Sequence, residues 1–145
     1  MSGNRSRKET LKYRRYIKKL KKSQKDCQFC DVDNNTKYEV EQTEHFWVIK
    51  NIFPYSLWDE MHVSNHLLVI PKEHVDSLKG LPDSTAVEYV RLIEEYESKG
   101  YNIYARAPGS AIKSVIHQHT HLIKTDKQRH RVLVHIKKPY FRISF

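Results

Sequence analysis

The chain has 145 residues, 39% of them apolar and 30% charged, with 16 aromatics to supply core volume. That length buries one core and excludes two catalytic domains with a linker. No run approaches the roughly 18 apolar residues of a membrane span, no apolar segment near the start reads as a secretory signal, and two cysteines are too few for a disulfide framework, so the cytoplasm is the expected compartment.

The net charge of +9 is concentrated at one end. Residues 1–25 hold 11 Lys and Arg against one acid, Glu9, whereas residues 26–145 hold 15 against 16. The expected organisation is a basic arm over 1–25 and one domain over 26–145. Within the arm Leu11, Tyr13, Tyr16, Ile17 and Leu20 recur every three or four residues, which predicts an amphipathic helix over 8–22. Such a cationic helix can neutralise phosphates on nucleic acid or an anionic surface, or dock its apolar stripe on the domain as a solubilising tail.

Two strands are expected over 37–41 and 45–50, with Phe46, Trp47, Val48 and Ile49 as core. Residues 51–65 read as a loop around Pro54, and 66–70 as a buried strand that Pro71 ends. A short helix is predicted over 73–81. A longer one follows to residue 98, burying Val87, Val90, Leu92, Ile93 and Tyr96 and stopping at Gly100. Strands over 101–106, 115–124, 131–136 and 140–145 complete an α+β fold, a mostly antiparallel sheet of about five strands with grouped helices.

The informative segment is Ser114-Val-Ile-His117-Gln-His119-Thr-His121. On a strand, the three histidines share one face, opposite Ile116, Gln118, Thr120 and Leu122. A neutral imidazole is a good nucleophile near pH 7, and flanking imidazoles can orient it and donate to developing charge. That suits covalent catalysis at phosphorus. Upstream, Cys27-Gln-Phe-Cys30 has the spacing of a metal knuckle or a redox pair, but two thiolates fill only half of a tetrahedral zinc site.

On these residues the chain resembles the histidine triad (HIT) family, whose signature is His-x-His-x-His at the end of a strand. His66-Leu-Leu-Val-Ile-Pro-Lys-Glu-His74 is similar to a second family segment, and Lys50-Asn-Ile-Phe-Pro-Tyr55 to the nucleotide-side loop of its diadenosine-polyphosphate-cleaving branches. The resemblance covers residues 27–124. It implies a HIT-like fold, a homodimer and a nucleotide hydrolase or transferase that cleaves at an α-phosphate through a nucleotidyl-histidine and releases a nucleoside monophosphate. Phosphorolysis of diadenosine polyphosphates, and a non-catalytic nucleotide- or nucleic-acid-binding regulator, are the alternatives.

The resemblance places the nucleophile at His119, a phosphate contact at His121, an orienting or zinc-binding group at His117 and a hydroxyl donor at Ser114. Asn51 falls where ribose hydroxyls are held, and Ile52, Phe53 and Leu68 where a purine is lined. His66 matches a histidine beside the triad, or is simply a satisfied core residue. In zinc-containing members the cysteine pair is completed by positions matching His74 and His117, which implies a structural Cys27–Cys30–His74–His117 zinc. Arg106 and Lys113 stand where the family commonly has amides; they add positive charge near the phosphate or point to solvent.

Overall fold

The computed structural model describes residues 4–23, 27–30, 32, 36–129, 133–137 and 140–144. The first element is helix α1 (Arg7–Ser23), one residue longer at each end than the apolar stripe predicts. The Ser6 hydroxyl caps it by accepting the Glu9 N–H at 3.3 Å. Its start is stitched to a distant loop: the Asn4 N–H donates to the Leu57 carbonyl at 2.9 Å, the Asn4 carbonyl accepts the Ser56 N–H at 2.7 Å, and the Ser6 N–H donates to Ser56 Oγ. The last residues of the expected arm, 24–25, lie outside the described residues.

Strands β1 (Glu39–Gln42), β2 (Phe46–Lys50), β3 (Leu57–Trp58), β4 (Met61–Pro71), β5 (Asn102–Ala105) and β6 (Thr120–Arg129) form one antiparallel sheet in the order β1-β2-β4-β6-β5, with β3 paired to β4. Helix α2 (Asp83–Ser98) covers one face. Strands β7 (Leu133–Lys137) and β8 (Tyr140–Ser144) pair separately. The expected α+β architecture is present, with six strands in the main sheet rather than five. No helix among the described residues is long and apolar enough to cross a membrane.

Alternation along β4 and β6 divides the core. Leu67, Val69 and Leu122 pack with Phe46, Val48, Leu92 and Tyr96 under α2. On the opposite face Leu68 and Ile70 join Val32, while Ile123 joins Tyr55 and Trp58. Burying these side chains is the main favourable term, about 1.5–3 kcal/mol for each large aliphatic or aromatic group.

Several expectations need correction. Only the first part of 51–65 is a loop, because β3 and the front half of β4 form a hairpin. Its two turn residues, Asp59 and Glu60, have φ of 49° and 66°, a primed turn made without the glycine or asparagine that usually signals one. Residues 73–81 form no α-helix, only a 3-10 turn at Leu78–Gly80; the Val75 carbonyl accepts the Gln118 N–H at 2.7 Å instead of a helical partner. The strand expected from residue 115 starts at Thr120. On α2, the sheet is met by Thr85, Tyr89, Leu92, Ile93 and Tyr96, which leaves Val87 and Val90 53% and 62% exposed. The expected strand over 37–41 is a 3-10 turn followed by β1.

The end of α2 is as expected. Gly100 has φ +82°, its N–H donates to the Glu97 carbonyl, and the Tyr101 N–H reaches back to the Tyr96 carbonyl, the double closure that a left-handed residue after a helix permits.

Near the other end of the sheet, His45 Nδ1 donates to Glu88 Oε2 at 2.5 Å, tying the start of β2 to α2. The hydrogen bond to Glu88 raises the His45 pKa. Burial pushes the Glu88 carboxyl up, but hydrogen bonds from Thr43 and His45 outweigh it and hold the carboxyl below its ordinary value. The imidazolium contribution is complete below about pH 6.5 and is lost as pH rises through the raised value; the carboxylate contribution is complete above about pH 4.5 and is lost as pH falls through the depressed one. Both are present between those limits. Glu88→Gln should therefore lower Tm more at pH 5.5 than at pH 9, measured by thermal denaturation at both; an equal drop would show that the pair carries no pH-linked stability.

Candidate functional site

The histidine segment enters the sheet only at its end. In the β4–β6 and β5–β6 ladders His121 lies opposite Leu68 and Tyr104, and the next residues alternate as a strand should. Thr120 faces α2, where its hydroxyl meets Tyr89 Oη at 2.8 Å. Before Thr120 the backbone bonds elsewhere, so the three histidines do not share one strand face.

His117 turns toward the start of the domain. Its Nε2–H donates to the Pro71 carbonyl at 2.9 Å; a carbonyl only accepts, so Nδ1 is left as a lone pair. That Nδ1 lies 3.4 Å from Cys27 Sγ and 3.6 Å from Cys30 Sγ, and His74 Nδ1 lies 3.1 Å from Cys30 Sγ. All four donor atoms fall within 4.8 Å of one another. A tetrahedral ion with bonds of about 2.0–2.3 Å separates its nitrogen and sulfur ligands by roughly 3.5 Å. The donor set therefore fits a metal ion in chemistry and in spacing.

His119 faces the other way. Its Nδ1–H donates to the His117 carbonyl at 2.9 Å, which leaves Nε2 unprotonated. Burial lowers its pKa, so the ring is neutral near pH 7. Phe29, between the two cysteines, packs edge-on against it with centroids 5.1 Å apart. The cysteine corner and the second histidine thus share a loop.

His121 receives its proton pattern from below. The Tyr55 N–H donates to His66 Nδ1 at 3.0 Å, so His66 carries its proton on Nε2, which lies 2.9 Å from His121 Nδ1. His121 Nδ1 then accepts, and its Nε2–H remains as a donor. Burial, with the charge of Arg5 adding to it, pushes the His66 pKa down to about 3. Burial likewise holds His121 well below its ordinary value, so both rings are neutral. Tyr55 stacks on His121 with centroids 5.7 Å apart and lies 4.9 Å from His66.

A cavity of about 130 Å³ opens over these rings. Ser114, His119 and His121 line it together with Asn51, Ile52, Phe53 and Leu68. Asn51 Oδ1 accepts the Phe53 N–H at 2.9 Å, shaping that loop. His66 lies beneath the cavity rather than in its wall. Arg106 does not reach it either: its guanidinium donates to the Tyr55 hydroxyl at 3.2 Å and lies over Tyr104. Lys113 is tied to the Asp76 carbonyl at 2.9 Å and to Gln118 Oε1 at 3.0 Å. Neither cation projects freely into solvent, and neither lines the cavity.

Sequence reasoning missed one wall altogether. Helix α1 contributes Tyr13 and Tyr16, whose rings meet Phe53 at 5.4 and 5.0 Å. The Tyr13 hydroxyl bonds Ser114 Oγ at 2.5 Å. Arg5 donates to the Phe53 carbonyl at 2.9 Å and sits between the faces of Tyr13 and Tyr55. The two tyrosines lie on the apolar stripe legible in the sequence, but the surface they cover was not. Gln28 also lines the cavity; its buried Oε1 has no hydrogen-bond partner among the described residues, an acceptor that a ligand N–H can satisfy.

A family model described as HIT domain matches residues 32–128. An uncharacterized HIT-like protein of Borreliella burgdorferi is 27% identical over 110 residues, covering 68% of this chain and 74% of its own length. Among solved structures, a hypothetical histidine triad nucleotide-binding protein from Sulfolobus tokodaii superposes with a TM-score of 0.55 at 26% identity, covering 70% of each chain. A zinc-bound histidine triad family protein from Mycobacterium smegmatis shares the fold with a TM-score of 0.52 at 22% identity, over 70% of this chain and 76% of its own.

His66→Ala removes both the acceptor for the Tyr55 N–H and the donor to His121, at a position buried from solvent. It should destabilise the domain by about 2–4 kcal/mol in urea denaturation. A loss under about 0.5 kcal/mol would show that the relay is not a structural constraint.

Proposed function

This chain belongs to the HIT domain family, and on that premise we propose that it cleaves nucleotides at the α-phosphate through a covalent nucleotidyl-histidine on His119. The observation that carries the reading is the fixed tautomer pair at the cavity. His119 commits Nδ1–H to a backbone carbonyl and keeps Nε2 as a lone pair, while His121, loaded from His66, keeps Nε2–H as a donor. A nucleophile and a phosphate-oxygen donor then stand side by side, their ring centroids 5.1 Å apart.

In this reaction His119 Nε2 attacks the α-phosphorus, and the bond to the leaving group breaks with its electron pair, an oxygen leaving group departing as its anion and a nitrogen one taking a proton from solvent to depart as the neutral amine. His121 Nε2–H and the Ser114 hydroxyl donate to the oxygens on which charge accumulates. Water then attacks phosphorus, the P–N bond breaks and its electron pair returns to Nε2. The water proton passes to solvent, and a nucleoside monophosphate leaves. Ile52, Phe53 and Leu68 offer apolar faces to the base, and Asn51 an amide to the ribose. The description of the Sulfolobus relative as nucleotide-binding agrees with this assignment.

The reading includes a structural zinc held by Cys27, Cys30, His74 and His117. A bound zinc with four protein ligands has no open position and serves to cross-link rather than to activate water. Its protein ligands join the start of the domain, the segment after β4 and the histidine segment. The Mycobacterium structure, described as zinc-bound, supports the choice of metal.

Two measurements test the proposal. His119→Ala should reduce turnover of adenosine phosphoramidate or diadenosine polyphosphate by about 10³-fold or more while nucleotide binding stays within about tenfold; substantial residual turnover would remove the covalent mechanism. Elemental analysis of the purified protein should give one zinc per chain. Cys30→Ser should abolish that zinc and lower Tm by roughly 5–10 °C, and a metal-free wild-type protein of unchanged Tm would end the zinc assignment.

A further inference from the structure

Helix α1 precedes the matched family domain, which begins at residue 32. It nevertheless walls two adjoining spaces. One is the cavity with His119 and His121. The other is a more open groove of about 650 Å³ between α1 and residues 111–114. Tyr13 and Ser114 line both spaces, and the hydrogen bond between their hydroxyls marks the boundary. The groove therefore begins at the hydroxyl on the edge of the proposed reaction centre.

The groove has a charge of one sign. Arg14 and Lys18, one helical turn apart on α1, are exposed and line it together with Lys113. Among the described residues neither Arg14 nor Lys18 is paired with a carboxylate, and the one acid within the described part of α1, Glu9, bridges Lys12 instead. Lys113 bonds a carbonyl and an amide oxygen; burial lowers its pKa, and the charge of Asp76 opposes that shift. Ile17 and Ile112 supply an apolar surface between these cations, with Ile112 66% exposed. Three cations beside an apolar strip match a chain of phosphates that ends in a ring system.

We propose that this groove is a leaving-group subsite that takes an oligophosphate chain. Substrates whose leaving group carries several negative charges are then favoured over those that release a neutral amine. The inference rests on the nucleotidyl-transfer reading of the cavity. An in-line displacement expels the leaving group on the side of phosphorus away from the attacking nitrogen, and the groove continues from the cavity past Ser114. The bond that breaks joins the α-phosphorus to the bridging oxygen of the oligophosphate, which departs with the electron pair as a stable anion.

The test uses the full chain and two substrates, diadenosine tetraphosphate and adenosine phosphoramidate, with inorganic tripolyphosphate as a competing probe. In the wild-type protein the tetraphosphate should have the higher kcat/KM. Arg14→Gln/Lys18→Gln, two exposed changes whose folding is checked by Tm, should lower the tetraphosphate-to-phosphoramidate ratio about tenfold at low ionic strength. The same variant should raise the inhibition constant of tripolyphosphate, and Arg14→Glu/Lys18→Glu should deepen both effects. The differences should shrink in 0.5 M salt.

Turnover of both substrates with an unchanged ratio and an unchanged tripolyphosphate constant would overturn the subsite alone. No turnover of either substrate by the wild-type protein would overturn the catalytic reading of the cavity instead. An unchanged ratio, with salt-dependent affinity for a random DNA duplex lost in the variant, would assign these cations to nucleic acid and also overturn the subsite.

Discussion

The hydrogen bond from His66 Nε2 to His121 Nδ1 crosses two paired strands in the middle of the sheet, and much of the site is arranged around it. A buried imidazole has one donor and one acceptor when neutral, and both must be satisfied to avoid a penalty of about 1–3 kcal/mol for each lost partner. The Tyr55 amide meets the acceptor of His66, His66 meets the acceptor of His121, and the last donor is left for the cavity. Burial under Tyr55 and the nearby charge of Arg5 keep both rings neutral. A protonated His66 would have no acceptor at Nδ1 to offer the Tyr55 amide, so the chain of bonds and the loss of charge enforce each other.

The histidine segment is shaped by where its backbone finds partners. From Thr120 onward it pairs with β4 and β5; before that, Gln118 bonds Val75, His117 bonds Pro71 through its ring, and His119 bonds the His117 carbonyl. Leaving the ladder rotates successive side chains away from strict alternation. His117 is thereby free to face the cysteines while His119 and His121 face the cavity. In the proposed reaction this division of labour separates a structural metal from the nucleophile by two residues. Phe29 connects them, touching the rings of both His117 and His119.

The basic arm has a defined place. Asn4 and Ser6 pair with the loop at 56–57, Arg5 is clasped between Tyr13 and Tyr55, and two tyrosines pack on Phe53. These are polar and aromatic contacts, not a deep apolar seam, so α1 keeps most of its cations on the surface. An arm anchored this way holds Arg14 and Lys18 in the groove beside Ser114.

The sequence by itself determined the antiparallel α+β framework, because strand-length apolar runs at 46–49 and 66–70 and a helical stripe ending at Gly100 leave few other arrangements. It also determined the chemistry present, since a row of alternating histidines and a spaced cysteine pair are local patterns. Long-range hydrogen bonding decided the rest. The Val75 carbonyl went to Gln118 instead of to a helix over 73–81, a primed turn formed at Asp59 and Glu60 without its usual residues, and Val87 and Val90 stayed exposed because α2 meets the sheet along a different stripe. Only the tertiary structure could lay α1 across the cavity, because a stripe of tyrosines records that a helix has something to cover but not which surface, dozens of residues away in the chain, will be there to meet it.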